Sequence, residues 1–162
     1  MKVILLISIV MSSLSYNCKA QGATEYINFY NVITPKLNSI ASNKAQFYGQ
    51  NFSNFYSELQ NKNMGIAVFN YEAKTDPGTK YYVLTLIFTE INIWSLAMKN
   101  SFQYPMVAIT FENEIPKQID DIAKSNHLKW NDSIAQFFAD MKIEKIEFIG
   151  INGYDSADRS LK

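Results

Sequence analysis

The 162 residues carry 15 basic and 15 acidic side chains, 48% hydrophobic content, and 10 Tyr, 11 Phe and 2 Trp. The basic residues are scattered, with nothing denser than Lys142 and Lys145. The stripe needed to neutralise nucleic-acid phosphates or to dock on an anionic membrane is therefore missing. A single cysteine, Cys18, excludes an intrachain disulfide, and a single histidine, His127, excludes HExxH and multi-histidine metal centres.

At the start of the chain, Lys2 precedes the apolar run Val3–Val10, which Met11 and Leu14 extend before small and polar residues end in Cys18-Lys19-Ala20. This is the charged, apolar and small-residue order of a secretory signal. Its apolar stretch of about 9–12 residues falls short of the roughly 20 that a spanning helix needs. The expectation is a signal peptide over 1–20, cleaved after Ala20, with export to the periplasm or beyond and no integral membrane segment afterwards. Lipid attachment at Cys18 is the lesser alternative, because Ser15, Tyr16 and Asn17 make a poor lipobox. Cleavage would remove Lys2 and Lys19, leaving 13 basic against 15 acidic residues over 142 positions, a net charge of about −2. That length suits one domain, which can bury roughly two-thirds of its unfolded surface without disulfides. With no internal repeat or linker, 21–153 reads as a single domain and the polar stretch 154–162 as a flexible tail.

A short helix is expected over 24–33, with Tyr26, Ile27, Phe29, Tyr30 and Ile33 on one side. Thr34-Pro35 then resembles a cap followed by a first-turn proline. From Pro35 to Asn61 the apolar residues fill one broad arc at helical spacing, with Gly49 at its edge. One long helix, or two broken near Gly49, fits this pattern. Met64–Glu72 and Lys80–Glu90 are rich in β-branched and aromatic residues and flank Thr75-Asp76-Pro77-Gly78-Thr79, the signature of a hairpin. Residues 91–102 fit either a strand or a helix, and Met106–Glu112 reads as a strand. Helices capped by Asn113 and by Asn131 follow, then a strand over Lys145–Ile151 ended by Asn152-Gly153. The expected class is α+β, two-layer, with a largely antiparallel sheet of about four to five strands. A long N-terminal amphipathic helix and two C-terminal helices would cover it.

Chemistry-bearing clusters are sparse. His127 lies in Ser-Asn-His-Leu-Lys-Trp, without a Gly-x-Ser-x-Gly elbow or a retained cysteine to form a nucleophilic triad. Glu112 and Glu114, two apart at a strand end, would share a face if the strand persisted, the arrangement that paired-carboxylate hydrolysis uses. Asp76-Pro77-Gly78 lacks the further oxygen ligands of a calcium loop, and phosphate-cradling glycine loops are absent, so no cofactor is expected. Asn51-Phe-Ser53 and Asn131-Asp-Ser133 are N-glycosylation sequons, which act only in a eukaryotic secretory pathway. Asp132-Ser133-Ile134 and Asp155-Ser156-Ala157 resemble an O-glycosylation pattern of some exported Gram-negative proteins.

The positive pointer is aromatic. Tyr26, Tyr30, Phe47 and Tyr56 fall near the edges of their helical arcs, and Tyr71, Tyr81 or Tyr82 must face away from one side of the sheet, so Tyr26, Tyr30, Phe47, Tyr56, Tyr71 and Tyr81 are the candidate partner-binding residues. The functional expectation is an exported non-enzymatic binding protein whose partner is another protein, an inhibitor or immunity-like molecule being one form. The alternatives are a small exported hydrolase built on His127 or the Glu112/Glu114 pair, and an accessory subunit of an envelope complex.

Overall fold

A computed structural model describes residues 23–75 and 78–162, so the expected signal peptide, Cys18 and Asp76-Pro77 of the hairpin turn lie outside the described residues. The described chain is α+β. An open four-stranded antiparallel sheet, in the order β1-β2-β3-β4, combines with five α-helices. The strands are β1 (Val68–Ala73), β2 (Tyr81–Ile87), β3 (Met106–Phe111) and β4 (Ile143–Ile149). Among the described residues no helix is long and apolar enough to cross a membrane.

Helix α1 covers 23–41 and runs straight through Thr34-Pro35, where a new helix was expected to begin. Proline removes one backbone donor from the ladder. Thr34 turns its hydroxyl back onto the Tyr30 carbonyl at 2.7 Å, and both ends of the helix are held by packed side chains. The long periodic arc is then interrupted where the structure needs a corner. A 3-10 turn (Lys44–Phe47) leads to Gly49 at φ +70°, whose N–H donates to the Ile143 carbonyl at 2.7 Å. Helix α2 (Phe52–Asn61) restarts the pattern, burying Phe52, Phe55 and Leu59 at i, i+3 and i+7.

Helix α3 (Ile91–Lys99) settles the ambiguous stretch after β2 and is followed by Ser101, in the left-handed region at φ 57°. Helix α4 (Ile119–Ser125) starts later than the expected cap at Asn113. The reason is local: the N–H of Glu112 donates to Lys142 O at 2.9 Å and that of Ile115 to Tyr81 O at 2.7 Å, so these residues follow the sheet. Helix α5 (Asp132–Phe138) is capped by Asn131, whose side-chain oxygen accepts the Ile134 N–H at 3.1 Å. The carbonyls near its far end accept from the first turn of α2, Phe52 N–H to Met141 O at 2.8 Å and Ser53 N–H to Ala139 O at 3.0 Å. Each helix thus satisfies orphan backbone groups of the other.

Strand register puts Phe69, Leu86, Val107 and Phe148 in one row across the sheet, and Tyr71, Leu84, Ile109 and Ile146 in the next on the same face. These residues join buried side chains of α1, α2, α4 and α5 in one apolar cluster. Phe52 is its hub, with ring contacts to Phe55, Tyr56, Phe111, Trp130 and Phe138. A second, smaller cluster ties the start of α1 to α3 through Tyr26, Tyr30 and Ala97.

Candidate interaction surface

Because side chains alternate along a strand, the same registers define a second face. Its three rows are Val68–Ile87–Met106–Ile149, Asn70–Thr85–Ala108–Glu147 and Glu72–Val83–Thr110–Lys145. None of these residues belongs to either apolar cluster. Its centre, on β2 and β3, is apolar or small, whereas Asn70, Glu72, Lys145 and Glu147 on the outer strands make a polar rim. An apolar centre inside a polar rim is the anatomy of a protein interface. The sequence carried the signal: β2 reads Val-Leu-Thr-Leu-Ile and β3 Val-Ala-Ile-Thr, with apolar or β-branched side chains at both alternations. Strands of that composition are those covered on both faces.

At the end of the sheet where Met106 and Ile149 sit, the face runs into a hollow of about 180 Å³ bounded also by Gln103, Tyr104, Gly150 and Arg159. Trp94 of α3 meets the Tyr104 ring edge-on at 5.6 Å. On α3, Ile91 and Met98 are 62% and 60% exposed. Gln103 is a hub of this corner. Its N–H donates to Tyr154 O at 2.7 Å, its carbonyl accepts from the Tyr26 hydroxyl, and its amide nitrogen donates to Ser156 O and Asp158 O at 2.9 and 2.6 Å. Its side-chain oxygen and the Trp94 indole N–H are the buried side-chain polar atoms without a partner among the described residues.

Both outer strand edges are partly occupied, which leaves the face rather than the edge as the open surface. On β1, Phe69 N–H donates to Leu128 O and Trp130 N–H to Ala67 O, both at 3.0 Å. On β4, Gly49 and Gln50 pair with Ile143, and Lys162 exchanges two backbone hydrogen bonds with Phe148 at 2.8 and 3.1 Å. Covering an edge in this way blocks strand-to-strand association. Residues 154–162, expected as a polar tail, thus lie along the sheet with Asn152, Gln103 and Asn38 as side-chain partners.

The candidate residues from sequence are distributed otherwise. His127 is exposed at φ 52°, followed by Leu128 at φ 59°, in the turn that carries Trp130 onto β1. Glu112 is exposed just past β3, at the opposite end of the sheet from His127. Glu114 pairs with Lys80 at 3.1 Å and borders a hollow of about 380 Å³ with Pro116, Phe137, Asp140 and Lys142. The structure therefore does not bring His127 to the two glutamates. Among the described residues no three His, Cys, Asp or Glu side chains gather as a metal site.

Three of the six aromatic candidates are interior rather than at the surface. Tyr26, Tyr30 and Phe47 are buried because α3, the C-terminal residues and β4 cover the arc edges that periodicity leaves open. The Tyr30 hydroxyl donates to Gly150 O and accepts the Gly153 N–H, at 2.9 and 2.8 Å. Burial pushes both the Tyr26 and Tyr30 phenols above their ordinary range. Tyr71 and Tyr81 meet edge-on at 4.8 Å on the helix-covered face, half-buried. Burial, then the hydrogen bond at 2.8 Å to Asp120 and its charge, push the Tyr71 phenol up to about 12. Tyr56 borders a hollow of about 220 Å³ between α2 and α5 and accepts from Trp130 Nε1 at 3.4 Å.

The chain matches no protein-family model, and comparisons with curated proteins and with solved structures find no match.

Proposed function

We propose that the chain is an exported, non-enzymatic interaction protein that works by presenting the uncovered face of its sheet to a protein surface. One observation carries the reading: β2 and β3 hold apolar or small residues on both faces, while the apolar clusters that join sheet and helices take residues from only one of them. The apolar residues of the other face are half-buried, or buried at its centre with Ile87 at 9% and Ala108 at 8%, and each further square ångström covered there gains about 25 cal/mol. The polar rim would fix orientation, and the apolar centre would supply affinity. An inhibitor or immunity-like role is one form of this reading and predicts a gene beside that of its target. The uncovered face also fits an accessory subunit held in a larger envelope assembly.

A photo-reactive residue placed at Thr110, in the open face, tests the surface against one at Asn54, exposed on α2, in the producing cell. Adducts from position 110 and none from 54 are expected; adducts from 54 alone, or from neither, overturn the reading. Export rests on residues 1–20 and is tested separately. A mature protein beginning at Gln21 is expected, and an intact Met1 on a cytoplasmic product refutes it.

A further inference from the structure

The rows of the open face carry an asymmetry that selects an occupant. One row has an acid at its β1 end and a base at its β4 end, running Glu72, Val83, Thr110, Lys145. The row at the other end of the strands is apolar throughout, Val68, Ile87, Met106, Ile149. Glu72 is exposed and has no ion-pair partner among the described residues, whereas Lys145 pairs with Glu147 at 2.7 Å on its own strand. We propose that the face is covered by a second copy of this chain, docked about a two-fold axis parallel to the strands. The inference rests on the reading of this face as the working surface.

The choice of axis follows from the rows. A two-fold parallel to the strands reverses strand order but keeps position along them. Glu72 of one copy then lies over Lys145 of the other, twice, by symmetry, and Asn70 lies over Glu147. The apolar row meets its own reverse, Val68 over Ile149 and Ile87 over Met106. An in-plane axis perpendicular to the strands would instead lay the charged row over the apolar one and bury unpaired charge, which is unfavourable. Stacked sheets cross at about 30°, a rotation that long Glu and Lys side chains can span at the rim. Isologous self-complementarity of this kind is what a two-fold dimer requires.

Size sets the strength. Four strands about 4.8 Å apart and six residues at about 3.4 Å each give a footprint of roughly 400 Å² per copy, and with Thr85, Ile87 and Ala108 only 8–9% exposed the accessible area it can bury is smaller still. Stable specific interfaces bury roughly 800 Å² per partner. The dimer is therefore weak and concentration-dependent, and it weakens further with salt as its rim pairs are screened.

Sedimentation of the purified exported protein over graded concentrations tests this, with E72K, K145E and the double variant alongside. The mass is expected to rise from one copy to two. Each single reversal should weaken association about tenfold, about 1.4 kcal/mol, and the double variant should recover it, since the exchanged charges again lie opposite each other. Unchanged circular dichroism in all three separates lost association from lost fold. A chain monomeric throughout, or a dimer indifferent to both reversals, overturns the inference. If the chain stays monomeric while Thr110 cross-links a protein of different mass, the face remains the working surface and only the identity of its occupant falls. If Thr110 yields no adduct either, both readings fall.

Discussion

Gly150 sits at φ +68°, at the turn where β4 gives way to the C-terminal residues, and a β-carbon there would drive into the Tyr104 carbonyl. Backbone cannot retreat as a flexible side chain can, so G150A is expected to cost about 2–3 kcal/mol in chemical denaturation. A loss below about 0.5 kcal/mol would show that the Tyr104–Gly150 approach is loose. The buried tyrosines make a second statement at this scale. The fold holds Tyr26, Tyr30 and Tyr71 as neutral phenols with raised proton affinity, so their contribution is complete below the ordinary value of about 10. For Tyr71 it is lost as pH climbs through about 12. Tyrosinate absorbance should therefore rise late and together with unfolding, and Y71F should flatten the alkaline loss of stability. Titration of these phenols near 10 in an intact fold would contradict their burial. The sequence marked Tyr26 and Tyr30 as aromatic edges of a helical arc. It could not mark them as interior, because the partners of Tyr26 and Tyr30 lie 77 and 120 residues away.

Elements were legible where periodicity was strong and local chemistry agreed with it. The β1–β2 hairpin, the Asn131 cap and the apolar arc of α2 all follow from short-range rules. The break near Gly49, one of the two readings of the long arc, is where the chain corners to pair with β4. The misplacements have long-range causes: α1 passes Pro35 because both its halves are packed, and Glu112 to Ile115 follow the sheet instead of starting a helix. Phe52 shows what such packing is worth. It opens α2 at 0% exposure among five aromatic neighbours, so F52A should destabilise the protein by about 3–5 kcal/mol, through lost transfer energy and an unfilled cavity. F47A, at the lip of the same cluster with 7% exposure and one ring contact, should cost less. Equal losses at the two positions would deny that α2 anchors the core.

For the whole molecule, the decisive feature is a sheet with apolar or small residues on both faces, of which one supplies the apolar core shared with the helices. Its strands announced the second face in their composition, yet only the registers show that Glu72, Val83, Thr110 and Lys145 share a row, since strand pairing is a tertiary fact. The occupied edges at Leu128–Trp130 and Lys162 direct association to the face. The most direct measurement is oxidative footprinting of methionines in the protein where it works and in dilute purified form. Met106, in the open face, reports cover; Met98, 60% exposed on α3, is the surface control, and Met64, 3% exposed, the core control. Oxidation of Met106 is predicted to fall several-fold in the working state relative to dilute solution, with Met64 slow in both. Met106 oxidising at the same rate in both states would contradict a covered sheet face.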